Sequence, residues 1–323
     1  MTNFPQTLHV RVARKEALTP DISLFELVGA DGAPLPLFSA GSHVDVLLPG
    51  GLTRQYSLCN DPGEFHRYQI AVLKDAQGRG GSRAMHETVH EGGTLSISAP
   101  KNHFMLAHGA KKSLLLAGGI GITPLLCMAE RLSAIEQPFE MHYCTRSSDR
   151  TAFRERIVQS RYASAVQFHF DDAAAEQQFD IAAHLKEPQE GVHLYTCGPK
   201  GFMDAVLSTA RKSGWPEAQL HYEFFSAESV KLATDGSFEV KLASSGRVIR
   251  VAAEQTVIAA LAAEGVEVPT SCEQGVCGTC VTRVLAGEPD HRDLYLTAEE
   301  QAANNQFLPC CSRAKSAQLV LDL

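Results

Sequence analysis

The sequence predicts a multidomain fold: an antiparallel β-barrel, then an α/β domain with a parallel sheet, then a compact α+β module. Three observations predict it. Short alternating strands broken by turn residues run to about Phe104, strands and helices alternate from Ala110 to Gly214, and five cysteines crowd between residues 272 and 311.

In the first region, LHVRVARKE, DISLFELVG, GSHVDVLLPG, RQYSLCN, HRYQIAVLK and GGTLSISAP are runs of period two separated by Gly, Pro, Asp and Asn. Such runs read as antiparallel strands of a small barrel. SRAMHETV reads as one short helix with Ser82 at its N-cap. The barrel is assigned to residues 1–106.

The texture changes at KKSLLLAGGIG, a buried strand followed by glycines. TPLLCMAERLSAI reads as a helix, FEMHYCTR as a strand, TAFRERIVQS as a helix, VQFHF as a strand, and GVHLYTCGPKGFMDAVLSTARKSG as strand, turn and helix. Strands separated by helices make βαβ units, and therefore a parallel sheet, over residues 107–227. SAESVKLATDGS has no period and reads as a linker, placed at 228–236. Residues 237–323 supply the strands FEVKLA and RVIRVAAE, the helix TVIAALAAEG, a cysteine loop and the closing strand AQLVLDL.

Composition removes several classes of function. The 323 residues are 44% hydrophobic and 20% charged, ordinary for a globular chain. Lys plus Arg number 29 against 37 Asp plus Glu, a formal net charge of -8, so the basic footprint for nucleic acid or acidic lipid is missing. The N-terminal MTNFPQTLHVRVARKE has no apolar core of a signal peptide, and LLLAGGIGITPLL is too short and too broken to span a bilayer. The expectation is a cytoplasmic enzyme with neither membrane nor nucleic acid as partner. Clustered rather than evenly paired cysteines favour a metal site in reducing surroundings over a disulfide framework.

SCEQGVCGTC places Cys272, Cys277 and Cys280 in the spacing C-x4-C-x2-C, and Cys310 follows after 29 intervening residues. Zinc modules usually present two Cys pairs, one on each side of a loop, whereas three thiolates from one loop and a remote fourth match the plant-type [2Fe-2S] pattern. Gly275 and Gly278 let such a loop curl closely and turn N–H groups toward the sulfurs, with Thr279 and Ser271 able to add hydrogen bonds. On the residues alone, a zinc site or four buried thiols stay open.

With these motifs in this order, the chain resembles the phthalate dioxygenase reductase family, the class IA reductase components of Rieske oxygenases. The resemblance covers nearly the whole chain and implies a flavin barrel, a nicotinamide domain and a C-terminal plant-type ferredoxin domain of β-grasp type. In that family the fourth ligand lies in a CxSRAKS-like stretch. PCCSRAKS offers Cys310 and Cys311, and the 29-residue gap matches Cys310 to the ligand. In an extended segment, neighbouring side chains face opposite ways, so only one of the two is expected to face the cluster.

RQYSLCN resembles the RxYS(L) signature of the ferredoxin reductase superfamily. The resemblance implies that Arg54 meets the flavin phosphate, Tyr56 packs on the isoalloxazine and Ser57 lies near flavin N5. A guanidinium suits a phosphate, and an aromatic ring supplies a flat wall. GRGGSRAMHE adds Gly80, Gly81 and Ser82 at a helix start, where free N–H groups suit a phosphate. The domain order implies FMN rather than FAD.

LLLAGGIGITPLL resembles the family's GGxGxTP loop: Gly118, Gly119 and Gly121 permit close backbone approach, while Thr123 and Pro124 begin the next helix. YTCGPKGFM supplies the CGP turn, with Cys197 implied close to the nicotinamide and Gly198 and Pro199 shaping the corner. HYEFFS resembles the ending of the nicotinamide domain; Phe225 is implied to cover the flavin face and Glu223 to orient polar groups. CTRSSDR offers Arg146 and Arg150 beside Asp149 for choosing between NADH and NADPH, and the resemblance favours NADH.

Together these readings imply a reductase that moves electrons from NADH through FMN and a [2Fe-2S] cluster to the Rieske centre of a terminal oxygenase. The rival readings are a reductase for another acceptor and an electron-transfer module without NADH activity. EPDHRD and TAEEQ give the cluster region a mixed but acidic surface, suited to docking on a basic patch.

Overall fold

The structure is a computed structural model that describes residues 7–48, 52–76, 80–174, 177–225 and 235–323. The chain divides into two compact units, Met1–Glu223 and Phe224–Leu323.

The first unit opens with β1 (Thr7–Ala17), β2 (Ile22–Gly29), β3 (Ser42–Leu47), β4 (Thr53–Ser57), β5 (Tyr68–Leu73), α1 (Gly81–Thr88), β6 (Thr94–Ser98) and β7 (Lys101–Asn102). The sheet order is β4-β3-β6-β1-β2-β5, with β7 beside β3. Its two ends meet where Leu58 bridges Ile70 and the Cys59 amide donates to the Gln69 carbonyl at 2.9 Å. This contact closes the sheet into a barrel and joins its two edge strands. The period-two pattern explains the interior: Val10, Val12, Val44, Val46, Ile70 and Val72 alternate inward and pack with Phe25, Leu27 and Met85 of α1.

β8 (Lys112–Gly118), α2 (Ile122–Ala134), β9 (Phe139–Thr145), α3 (Arg154–Val158), β10 (Val166–Phe170), α4 (Ile181–His184), β11 (Val192–Cys197), α5 (Lys200–Lys212) and β12 (Leu220–Glu223) form the rest of the unit. The sheet order is β10-β9-β8-β11-β12, and every pairing is parallel. The apolar run of β8 serves both faces. Leu115 and Ala117 pack toward α2, whereas Leu114 and Leu116 pack with Val206, Ala210 and Trp215. A strand buried on both faces is written as a continuous hydrophobic run. Ile22, Leu24 and Ala71 of the barrel belong to the α2-side core, so barrel and parallel sheet share packing.

Two local expectations need correction. TAFRERIVQS yields only the five-residue α3, because Phe153 takes the left-handed conformation (φ 60°) and a helix cannot run through it. Ser82 is not the N-cap of α1; Gly80 takes that place at φ 86°, a conformation that suits glycine. The Ser82 hydroxyl instead accepts from the Asp75 amide at 3.1 Å.

The second unit contains β13 (Phe238–Leu242), β14 (Val248–Val251), α6 (Val257–Ala263), β15 (Thr282–Ala286), β16 (Pro289–Asp290), α7 (Ala298–Ala303), β17 (Gln306–Phe307), β18 (Arg313–Ala314) and β19 (Gln318–Leu321). One sheet runs β14-β13-β19-β15-β17, with β13 and β19 parallel, and β16 pairs with β18. α6, capped by Thr256, places Val257, Ala260 and Leu261 against Phe238, Val240, Ile249 and Leu319. A mixed sheet with one helix packed on its core is the β-grasp arrangement. α7, with its Thr297/Glu300 capping box, begins within the acidic TAEEQ segment. Most of the segment read as a linker, 226–234, lies outside the described residues, as does Gly78.

Candidate redox site

Arg54 and Gly81 are far apart in sequence and touch in the fold. A Cβ at Gly81 would lie 2.5 Å from Arg54 Cγ and 2.6 Å from its Nε, so only glycine lets the arginine lie against the start of α1. Arg54 is 8% exposed and donates to the Thr53 carbonyl at 2.7 Å. A buried guanidinium beside the free N–H groups of a helix start makes a cradle of the right charge for a phosphate. Tyr56 sits on β4 opposite Val44 and packs on the barrel core, where burial pushes its phenol pKa up.

Ser57, at the end of β4, donates from its hydroxyl to Glu223 Oε2 at 3.3 Å. Glu223 closes β12 and pairs in register with Cys197, the last residue of β11. Burial raises the Glu223 pKa to about 7, with the Ser57 hydrogen bond opposing. Cys197 is fully buried, and burial with the neighbouring Glu223 carboxylate holds its thiol well above the ordinary range. Three residues from three strands thus meet at one point. Sequence reasoning missed a fourth, His43, which lies directly opposite Ser57 in the β3–β4 ladder. It is 4% exposed, its Nε2 has no hydrogen-bond partner among the described residues, and burial lowers its pKa to about 4. A lone histidine in an alternating strand carries no signal that would single it out.

The glycine loop and the CGP turn meet because β8 and β11 are neighbours, with Ala117 opposite Cys197. A Cβ at Gly121 would stand 2.2 Å from the Cys197 carbonyl oxygen, and one at Gly198 would stand 2.9 Å from Gly118 Cα. Gly119 takes φ 51° and leads into α2, whose second and third residues are Thr123 and Pro124. Thr123 donates to the Ile120 carbonyl at 3.1 Å, and Pro199 is the N-cap of α5. A Cβ at Gly119 would meet nothing within 4 Å, so backbone at the carboxyl end of the parallel sheet is open there to a dinucleotide. Of the residues read for nucleotide choice, Arg150 pairs with Asp21 at 2.7 Å, Asp149 accepts from Ser147, and Arg146 is exposed. Phe225 belongs to the second unit and is 38% exposed.

Four of the five thiols of the second unit gather in two pairs, and the fifth, Cys311, is hydrogen-bonded to Cys310. Cys272 and Cys277 are hydrogen-bonded to one another, which pushes Cys272 up and draws Cys277 down to about 5. Cys280 and Cys310 form the other pair, which raises Cys280, and Cys280 also senses Cys277. Backbone N–H groups turn toward the sulfurs: Gln274 donates to Cys272 Sγ at 3.2 Å, Val276 also donates to Cys272, Thr279 to Cys277, and Cys310 to Cys280. Gly275 and Gly278 take φ 73° and 71°, the curl expected of this loop.

All nine cysteines are free thiols. Among the described residues, no three His, Cys, Asp or Glu side chains converge as ligands of a single metal ion. Two thiol pairs suit a two-iron core instead, since each iron takes two of them. The Cys310–Cys311 segment is not extended but lies in a turn, closed by the Ser312 amide on the Leu308 carbonyl at 3.0 Å. The alternation argument therefore does not apply there; Cys310 is 4% exposed and meets both Cys280 and Cys311, and Cys311 Sγ also lies 3.7 Å from the Leu308 carbonyl.

Residues 240–315 match the model of the 2Fe-2S iron-sulfur cluster binding domain, and residues 97–220 match that of the DmmA-like dimethylamine monooxygenase subunit, N-terminal domain. The chain is 55% identical to vanillate O-demethylase oxidoreductase of Pseudomonas sp. strain HR199, over 98% of its own length and 100% of that protein's. It is 40% identical to phthalate dioxygenase reductase of Burkholderia cepacia, over 98% and 97% of the two chains. The chain belongs to the phthalate dioxygenase reductase family.

A solved phthalate dioxygenase reductase, described as a modular structure for electron transfer from pyridine nucleotides to [2Fe-2S], superposes with a TM-score of 0.82 at 40% identity and covers 98% of each chain. Membership makes this chain an oxidoreductase of that type, with flavin and [2Fe-2S] electron-transfer parts. No helix among the described residues is long and apolar enough to cross a membrane.

Proposed function

We propose that this chain carries electrons from NADH through FMN and a [2Fe-2S] cluster to the Rieske centre of a partner oxygenase. Family membership supports the oxygenase partner, and the donor and the type of acceptor centre are our reading. When bound, the cofactors supply the conversion of two-electron to one-electron transfer.

The chain's own residues supply binding and orientation. Arg54, with Gly80, Gly81 and Ser82, receives the FMN phosphate, and Tyr56 gives the ring system an apolar wall. Gly118, Gly119, Gly121, Thr123 and Pro124, with Cys197, Gly198 and Pro199, form the nicotinamide nucleotide site. Ser57 and Glu223 present a hydroxyl and a proton-holding carboxyl to the reacting edge, and Phe225 serves as the aromatic cover. Cys272, Cys277, Cys280 and Cys310 would hold the cluster. A barrel over 1–106, a nucleotide domain over 107–227 and a ferredoxin domain over 237–323, joined at 228–236, remain the proposed division.

The observation that carries this reading is the pairing of the four thiols, with backbone N–H groups turned onto the sulfurs. The test is anaerobic addition of NADH to the purified chain. Bleaching of flavin absorbance followed by the signal of a reduced two-iron cluster is expected, and a Rieske oxygenase added afterwards should take up the electrons. Absence of flavin bleaching would favour the module without NADH activity.

A further inference from the structure

Asp293 is a buried acidic residue, 5% exposed, in the segment between the three-cysteine loop and the fourth cysteine. Its Oδ2 accepts from the Leu296 amide at 2.8 Å and the Tyr295 amide at 3.3 Å. Its Oδ1 accepts from the Ser312 hydroxyl at 3.4 Å, and His291 Nδ1 stands 3.6 Å from the same oxygen. Ser312 in turn accepts from the Arg292 amide at 3.2 Å and is 1% exposed. One carboxyl group therefore ties a turn at 293–296 to the turn that carries Cys310.

The 293–296 turn also rests on the cysteine loop. The Leu294 amide donates to the Gly275 carbonyl at 3.0 Å. The Tyr295 ring lies on Gly278 so closely that a Cβ there would be 2.2 Å from Cζ and 2.4 Å from Cε2. Gly278 stands between Cys277 and Thr279, whose amide points at the Cys277 sulfur. The ring thus covers the stretch of backbone that serves the sulfurs, although Tyr295 itself is 49% exposed.

We propose that Asp293 is a positioning residue for the cluster: it holds Tyr295 as a cover over Gly278 and locks that cover to the Cys310 turn. The inference rests on the reading that Cys272, Cys277, Cys280 and Cys310 hold a two-iron cluster. Its physical content is water exclusion. Water near the sulfurs stabilises the more negative, reduced state of such a centre, so a cover that keeps water out holds its potential down and shields its ligands.

The test uses the full chain with its cofactors, an iron chelator added in excess, and a spectroelectrochemical titration. Tyr295→Ala is expected to lose the visible cluster absorbance about 10-fold faster than the unaltered chain, the lower range for loss of an outer-shell partner. Its midpoint potential is expected to rise, because water reaching the loop favours the more negative redox state. Tyr295→Phe keeps the ring and is expected to match the unaltered chain in both readings.

Asp293→Ala is expected to behave as Tyr295→Ala, and the double variant to be no worse than either, since both changes remove one cover. Asp293→Asn retains an acceptor for the Leu296 amide and is expected to keep the cluster, which covers the case in which Asp293→Ala does not fold. An unaltered rate and potential in Tyr295→Ala, or a Tyr295→Phe variant as impaired as the alanine, would overturn the inference. If the unaltered chain holds no two-iron cluster, the reading beneath it fails instead.

Discussion

The Ser57 hydroxyl reaches Glu223 Oε2 at 3.3 Å across 166 positions of sequence, joining the last residue of a barrel strand to the last residue of the parallel sheet's edge strand. Because burial holds the Glu223 pKa near 7 rather than at 4.5, the folded chain keeps this proton more tightly than the unfolded chain does. The associated stability is fully present below the ordinary glutamate range and is lost as pH rises through about 7. Its size is on the order of 3 kcal/mol. Between pH 5 and pH 8 the wild type should therefore lose more thermal stability than Glu223→Gln, whose side chain does not titrate. Equal losses in the two proteins would count against a carboxyl protonated near neutrality.

Gly81→Ala places a methyl group where the Arg54 side chain now lies, 2.5 Å from Cγ. The arginine must swing away, so flavin retained after dialysis should fall by at least about 10-fold, equivalent to some 1.4 kcal/mol of binding. Arg54→Lys should also weaken retention, because an ammonium group lacks the planar fork. Retention of flavin at full stoichiometry in both variants would remove the phosphate from this cradle.

Gly121→Ala meets backbone, not a flexible side chain: the added Cβ would be 2.2 Å from the Cys197 carbonyl oxygen. Overpacking of this kind costs about 1–3 kcal/mol and must displace one of the two loops. The expected result is a folded barrel that still binds flavin but titrates poorly with NADH, measured by the charge-transfer absorbance on nucleotide addition. Wild-type NADH affinity would contradict the assignment of this loop.

Cys310→Ser should abolish the two-iron spectrum and lower iron content, whereas Cys311→Ser should leave both intact. Cys310 lies between Cys280 and Cys311 and meets both, whereas Cys311 meets Cys310, the Leu308 carbonyl and Ser312. Iron analysis with visible spectroscopy distinguishes the two. Loss of the cluster from the Cys311 change alone would reverse the assignment.

Much of this architecture was legible because burial patterns repeat. The alternation in LHVRV and HVDVL declared barrel strands, and the unbroken SLLLAG of β8 declared a strand covered on both faces. The cysteine spacing was equally legible, since ligand geometry constrains sequence directly. Elements set by a single backbone dihedral were not. Phe153 truncates α3 through one positive φ, and Gly80 takes the capping position from Ser82 the same way. The opposition of His43 and Ser57 depends on strand register, which single residues do not announce. Asp293 carried a faint local signal, a short polar side chain bonding amides two and three residues on, which marks a turn without saying what the turn covers.

Gly121 meets Cys197 and Gly198 main chain against main chain, whereas Gly118 and Gly198 also lie against the Phe202 ring. Side chains at an ordinary interface can be exchanged in compensating pairs, one growing as the other shrinks. At Gly121 neither partner has a side chain to trim, so no second substitution there can make room for a first. The two loops are bound to a shared future: substitutions can reshape the rims of the proposed nucleotide site, such as the Arg146–Arg150 segment, while its floor at Gly121 stays closed to gradual change.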